Sequence, residues 1–559
     1  MGENRISRRT ALKIFSGTIA SLYLKGCTST QYHRNYEFPV GQEIPPNPIE
    51  RGISPTLKGF SGDNPTQGHK ILRNLPDYLL NKEIPAPSEF RNVVIVGGGM
   101  SGLLSGYYLR KYNPVLLEQD DRFGGNSKGE SWEGIDYSIG AAYIAYPEEG
   151  SANELLFKDL GLLKKMKKKP KEDPFVINNK LVENFWEGVS APKYKYQFKI
   201  FNELLSAIYK NRGEAAFPEI PTHDLTMRSY IDQLDVLSIH DYLKDKLGED
   251  LHPHLLTSLE YYCWSTFGAG SLDVSAASGI NFLAGDFAQM TTLPGGNAGI
   301  TEQLWLRLKD SLGLENLRSA STVVKVSVQK NNKVHVCYSD RNGQLKTIEA
   351  KAVVMACPKF IVNKILDEIE PERVAAIKRL EYNSYLVANV WITEPCKSDF
   401  YDLFLLGSGE QLNLKDIKNN SAENPTTDII LANYATTETT DKTVFTFYRP
   451  IPYKGGRMEI FNDNAWEDYK LEFEDIIEEI VCKTLGYSET NIHNIRIARW
   501  GHPMPVSKPG LISEGVVDVL QAPFRDRVFF IEQDNWALPS FETCSAEAQY
   551  WTEKIKAFL

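Results

Sequence analysis

The chain runs to 559 residues, of which 42% are apolar and 24% charged, with a formal net charge of −10. That is more chain than one hydrophobic core usually supports, so at least two domains are expected. The acidic balance, with no basic stretch interleaved with aromatic residues, argues against a nucleic-acid partner.

Residues 1–27 read as an address. Ser7-Arg8-Arg9-Thr10-Ala11-Leu12-Lys13 resembles the twin-arginine export signal, and the apolar run from Ile14 to Leu24 is too short to span a bilayer comfortably. Leu24-Lys25-Gly26-Cys27 resembles a bacterial lipobox, with Lys25 as its departure. The expectation is export by the twin-arginine route to the periplasmic side of the bacterial envelope, with Cys27 lipidated as a membrane anchor; the alternative is a plain exported protein. Residues 28–90, rich in Pro, Asn, Gly and charge, read as tether and surface wrap.

A short apolar strand, Val93 to Val96, then leads into Gly97, Gly99 and Gly102 at GxGxxG spacing, followed by a helix-length segment. Gly97 permits the tight turn, Gly99 lets a pyrophosphate approach the backbone, and Gly102 lets helix pack on strand, so the helix start around Ser101 directs free N–H groups at phosphate. A second strand, Val115 to Leu117, ends at Glu118, placed to accept hydrogen bonds from ribose hydroxyls. Spacing alone leaves NAD and FAD both open.

The residues GGGMSGLLSGYYL and VLLEQDDRFGGNS resemble the N-terminus of the flavin amine oxidase and phytoene desaturase superfamily, whose mark is the second glycine pair, here Gly124-Gly125. The resemblance implies non-covalent FAD, with the glycine pair close to its diphosphate. Asn126 stands where the family has arginine, leaving Arg122 and Ser127 nearby. GIDYSIGAAYI, from Gly134 to Ile144, resembles the segment that runs beside the flavin.

Helices are predicted over Glu154 to Leu163 and Tyr194 to Tyr209, and from Ser238, with Asp241 as partner to its cap. The stretch from Leu255 to Phe287, dense in aromatic and small residues, suits a ligand-facing wall or plain core. Leu293 to Ile300, LPGGNAGI, opens a helix through Leu308 and resembles a flavin-approaching turn of the superfamily and of spermidine dehydrogenases. Three alternating strands, Val323 to Val328, Val334 to Tyr338 and Lys346 to Ala350, form a β-meander turning at Asn331-Asn332 and Asn342-Gly343; Val323 matches the family position that meets the adenine. Ala352 to Pro358 reads as a further strand, Tyr385 to Ile392 as another, and Trp466 to Thr484 as a long acidic helix. A last strand, Val528 to Ile531, delivers Glu532 and Asp534, one of which the resemblance assigns to a ribityl hydroxyl, and a helix starts between Pro539 and Glu542. Cys263, Cys337, Cys357, Cys396, Cys482 and Cys544 show no CxxC, and His252 and His254 lack further ligands, so neither a metal site nor a disulfide framework is indicated.

The expected fold is α/β: a Rossmann-like FAD-binding domain with β-meander (91–150, 291–380, 496–559) and a discontinuous α+β substrate domain (151–290, 381–495). The expected activity is hydride removal by FAD from the carbon beside an amine nitrogen. The alternatives are a desaturase or isomerase of an apolar polyene and a flavin-binding protein without turnover. Trp500 and His502 are candidate cavity-lining residues. In amine oxidases of the superfamily a lysine on a substrate-domain strand assists reaction with oxygen; the matching position is read as Asn389, with Lys397 as a substitute cation. A neutral amide there implies a dehydrogenase passing electrons to a quinone, a cytochrome or another envelope carrier rather than to oxygen.

Overall fold

The computed structural model describes residues 47–559 except 54–58, 171, 214–216, 218, 249–250, 287–288, 409–425 and 437–439. Arg8, Arg9 and Cys27 lie outside the described residues.

Two sheets carry the architecture. In the first, Leu317–Arg318, Val115–Leu117, Glu89–Val96 and Leu345–Met355 lie side by side in parallel. Val93, Val94, Ile95 and Val96 are all buried, as a strand covered on both faces requires. Leu345–Met355 is one strand of 11 residues with two uses. Its first half pairs with Val334–Ser339, which pairs in turn with Thr322–Val328, completing the meander. Its second half pairs in parallel with Glu89–Val96 on one side and Val528–Phe530 on the other. The separate strands predicted over 346–350 and 352–358 are therefore one, because Lys351 brings no turn chemistry and simply continues the alternation.

The second sheet has eight strands, in the order Lys180–Val182, Phe175–Ile177, Asp402–Leu405, Asp428–Leu431, Thr443–Ile451, Ser384–Ile392, Ile492–Trp500 and Ser61–Gly62. Its back packs on the helix Ala465–Ile476 and the wider π-helical turns that continue it to Thr484. Its front meets the hairpin Gly129–Trp132 and Ile135–Ser138, which belongs to the dinucleotide half of the chain. A buried ion pair joins the two: Arg496 Nη2 lies 2.9 Å from Glu130 Oε1, and Tyr137 Oη donates to Glu130 Oε2 at 2.9 Å. Burial pushes the Glu130 carboxyl up, but the Arg496 guanidinium and the hydrogen bonds outweigh it and hold the group below its ordinary range. Trp132 stacks on Trp391 at 5.0 Å beside this pair.

Residues 47–79 correct the reading of that region as tether and surface wrap. Ile49–Glu50 adds a strand beside Gly129–Trp132, and Ser61–Gly62 adds the edge strand beside Ile492–Trp500. Ile71, Leu72 and Leu75 are buried in the same cluster as Val96, Leu117, Val323 and Met355. Their low local periodicity concealed a strap held by both sheets.

Candidate active site

The strands Glu89–Val96 and Leu345–Met355 end in register at Val96 and Met355, so Gly97-Gly98-Gly99 and Ala356-Cys357-Pro358 emerge together at their carboxyl ends. That edge is where open α/β sheets bind ligands. A cavity of about 2350 Å³ begins there and runs to the front of the second sheet. Common small-molecule sites occupy roughly 300 to 1,000 Å³, so this one has room for a dinucleotide and a substrate together.

The glycine positions behave as their spacing requires. Gly97 has φ 112°, in the left-handed region, and a Cβ there would overlap the Ala356 carbonyl. A Cβ on Gly102 would fall on the Gly97 carbonyl oxygen, so helix Met100–Leu109 sits against its strand only through glycine. Gly99 and Gly125 approach so closely that a Cβ on Gly125 would lie 2.9 Å from the Gly99 Cα. Gly97, Gly99, Ser101 and Gly125 line the cavity, whereas Gly102 and Gly124 shape it from behind. Gly124 does so by donating its N–H to the Gly98 carbonyl at 2.8 Å.

Glu118 stands on the cavity wall, 8% exposed, and its carboxylate accepts the Gly98 N–H at 2.7 Å and the Asp120 N–H at 2.8 Å. Burial pushes its pKa up. A desolvated carboxylate with lone pairs still open toward the cavity fits ribose hydroxyl donors. Val323 lines the same end. Glu118→Gln keeps the shape but turns a charge-assisted acceptor into a neutral one, so FAD affinity should fall by a factor of roughly ten or more in flavin-release titrations. Unchanged affinity would place the adenosine elsewhere.

One expected cofactor contact is corrected. Arg122 turns away from the cavity, with Nη1 on the Gly129 carbonyl at 3.1 Å and 3.4 Å from Glu50 Oε2. The lysine on the wall near Glu118 is Lys128, ion-paired with Asp120. Asn126 does line the cavity and donates to the Pro503 carbonyl at 2.6 Å, fastening the glycine-pair loop to the 501–504 turn.

At the same carboxyl edge, just past Val528–Phe530, Glu532 and Asp534 both line the cavity and are both engaged. Lys359 Nζ lies 2.6 Å from Glu532 Oε1, and Asp534 accepts the Lys359 N–H at 3.0 Å and the Tyr382 hydroxyl. Burial pushes Glu532 up against the pull of Lys359, and Asp534 beside it adds to the rise. Helix Phe541–Lys556 starts beside them, capped by Ser540, which accepts the Thr543 N–H at 3.0 Å. Its first residues line the cavity, so its dipole favours negative charge there.

The floor on the substrate side is the front face of the eight-stranded sheet. Register puts Trp500 beside Tyr385, and Ala498, Val387, Tyr448 and Asp428 in one row across four strands. Trp500, Tyr385, Val387, Tyr448, Asp428 and Ile430 line the cavity. Trp500 donates Nε1–H to the Ile139 carbonyl at 2.6 Å, and Tyr448 Oη donates to the Gly140 carbonyl at 2.6 Å. His502 lines the cavity beside Phe360, with ring centroids 4.6 Å apart. Burial, with Arg457 and His69 nearby, lowers its pKa to about 3, so the imidazole is neutral at physiological pH.

Asn389 does not line the cavity. It lies on the same face as Val387 but two residues further along, where the hairpin covers the sheet: its Nδ2–H donates to the Ser138 carbonyl at 3.2 Å and its Oδ1 accepts from Thr446 at 2.6 Å. The cavity-facing residues of that strand are Tyr385 and Val387. Lys397 is also remote, bound to Glu394 and the Gly486 carbonyl. Sequence reading also missed Tyr385, Tyr448, Asp428, Lys128 and the strap residue Asp63, whose buried carboxylate accepts the Gly501 N–H at 2.6 Å.

Residues 100–457 match the family model for flavin-containing amine oxidoreductases. The chain belongs to that family. It is 24% identical over 522 residues to the oxidoreductase PigB of Serratia sp., covering 84% of this chain and 75% of that one. Putrescine oxidase bound to putrescine has the same fold at 16% identity, with a TM-score of 0.59 over 84% of this chain and 99% of that one. A conjugated-linoleic-acid-producing fatty acid isomerase from P. acnes shares it too, at 15% identity and a TM-score of 0.56 over 85% of this chain and all of that one. The flavin-dependent amine oxidoreductase accordingly takes FAD, and the cradle of Gly97, Gly99, Ser101, Gly125 and Glu118 fits it. The polyene alternative is not favoured by the family match, and a sheet floor carrying a buried carboxylate suits an amine better than a hydrocarbon.

Proposed function

We propose that this enzyme is an amine dehydrogenase, with FAD held non-covalently, that delivers electrons to a carrier other than oxygen. The observation that supports it is the floor: none of the described residues of the eight-stranded sheet that line the cavity is Lys or Arg, and Val387 is an aliphatic residue between Tyr448 and Ala498. Bound FAD would supply the two-electron acceptor. The chain's own residues supply binding and environment. Tyr385, Tyr448 and Trp500 present aromatic surface to the carbon chain of an amine, and their own polar atoms are tied to backbone carbonyls. Burial in such a cavity disfavours the ammonium form, so the substrate nitrogen is held neutral with its lone pair available. His502, neutral itself, adds no competing positive charge.

Non-covalent attachment is supported by the cavity cysteines. Burial raises the thiol pKa of both Cys357 and Cys544, the latter to about 12, which leaves little thiolate to attack a flavin. Export by the Arg8-Arg9 signal and a lipid at Cys27 would place the enzyme beside envelope quinones or cytochromes, and cell fractionation of a Cys27→Ser variant checks that location by its release from membranes. The catalytic test is anaerobic flavin bleaching by a panel of monoamines, polyamines, amino acids and carotenoids, followed by reoxidation with a quinone analogue or with oxygen. Bleaching by amines with fast quinone and slow oxygen reoxidation is expected. Bleaching by carotenoids alone would overturn the reading.

A further inference from the structure

A buried chain of polar side chains runs behind the carboxyl edge of the first sheet. Glu547, on helix Phe541–Lys556, is 0% exposed and makes no ion pair with any described lysine or arginine. Four groups converge on it. Its Oε1 accepts the Trp536 Nε1–H at 2.9 Å and meets His223 Nε2 at 2.9 Å; its Oε2 accepts the Trp551 Nε1–H at 3.2 Å and an Asn535 Nδ2–H. Asn535, also 0% exposed, donates from the same Nδ2 to the Phe530 carbonyl at 2.8 Å and turns its Oδ1 to Lys359 Nζ at 2.6 Å. The neighbours fix the direction of this amide: reversed, it would set N–H groups against an ammonium and an oxygen against a carboxylate. Lys359, 1% exposed and 4.5 Å from the Phe530 ring centroid, ends on Glu532 Oε1 at 2.6 Å, and Glu532 lines the cavity. Asn535 and Glu547 themselves do not line it.

The strand order says which half of FAD this chain of contacts serves. Glu118, Gly97, Ala356 and Ile531 follow the ends of four neighbouring parallel strands, Val115–Leu117, Glu89–Val96, Leu345–Met355 and Val528–Phe530. Glu532 therefore emerges three strand spacings from Glu118, about 14 Å along the edge, with the glycine turn between them. A dinucleotide with its adenosine on Glu118 and its diphosphate on the helix start at Ser101 meets Glu532 with its ribityl and flavin half.

We propose that Asn535, with Glu547 behind it, is a positioning residue for the flavin half of FAD: through Lys359 it holds the Glu532 carboxylate in place to accept a hydroxyl of the cofactor. The inference rests on the cofactor and is independent of which substrate is oxidised. It is tested on the full chain, freed of flavin, by titration with FAD and with ADP, which has the adenosine and diphosphate but neither ribityl nor flavin. Asn535→Leu, similar in size but without polar atoms, should weaken FAD at least about tenfold and leave ADP affinity within about twofold. Asn535→Asp separates positioning from mere packing. It keeps an oxygen on Lys359 but sets a second carboxylate against Glu547, and two carboxylates in contact hold one proton between them. The charged and titratable groups facing that pair are Lys359, with Glu532 and Asp534 beyond it, on one side and His223 on the other. At low pH the shared proton stands in for the amide N–H, so the variant should bind FAD nearly as the parent does. As pH rises and that proton leaves, its FAD affinity relative to the parent should fall by about tenfold or more, while ADP affinity does not follow. Asn535→Asp combined with Glu547→Gln should lose this pH dependence. If Asn535→Leu does not fold, the pH profile of Asn535→Asp decides. Parent-like FAD affinity in Asn535→Leu, equal losses of FAD and ADP in Asn535→Asp at every pH, or a pH profile that survives Glu547→Gln each overturns the proposal.

Discussion

Gly102→Ala is expected to yield protein that does not hold FAD. The added methyl would lie 2.0 Å from the Gly97 carbonyl oxygen, which is backbone and cannot swing aside. Relief requires helix Met100–Leu109 to shift outward from Glu89–Val96, and that moves the Met100 and Ser101 N–H groups away from the diphosphate position. Overpacking of this kind costs about 1 to 3 kcal/mol in a core that can adjust, and more where both partners are main chain. The measurement is the flavin absorbance of the purified variant together with its thermal unfolding. Retention of a full complement of FAD would mean that the helix position does not govern the site.

The second large effect separates two neighbouring positions on one strand. Val387→Lys would place an ammonium at the cavity floor, where positive charge favours electron transfer to oxygen; reoxidation by oxygen in stopped flow should accelerate on the order of tenfold to a hundredfold. Asn389→Lys should give no such gain. It breaks the bonds to Ser138 and Thr446 and buries a cation without a counter-ion, a change worth about 3 to 5 kcal/mol of destabilisation, so the protein should be recovered poorly or melt at much lower temperature. A well-folded Asn389→Lys enzyme with fast oxygen reactivity would restore the original alignment.

These two cases mark what could be read from sequence. Gly97, Gly99, Gly102 and Glu118 were legible because the demand on them is local: a turn, a close approach and a strand end, all within some twenty residues. Ser238 as a helix cap was legible for the same reason, its Oγ accepting the Asp241 N–H at 3.0 Å. Val387 was not. Alternation along Ser384–Ile392 says that residues 385, 387 and 389 share a face, but which of them meets the cavity depends on how far the hairpin Gly129–Ser138 reaches over the sheet. Arg122 failed similarly: its distance from the glycine pair was right, and Glu50, which claims it, lies in a stretch with no evident pattern. Asp428 carries no local signal at all, being one aspartate on a short strand. Its character comes from burial and from neighbours contributed by distant segments.

The strap has a further consequence, one of timing. Asp63 accepts its hydrogen bond from Gly501, 438 positions later in the chain. During synthesis at roughly 5 to 20 residues per second, the early partner waits on the order of half a minute or longer before its mate exists. Asp63, His69 and Leu72 line one side of the cavity. Once that bond closes, the strap forms one wall of the cavity. Escape of FAD from the finished enzyme is then governed by how often residues 61–79 detach, so the rate of flavin release and the amide exchange rate of that segment should coincide.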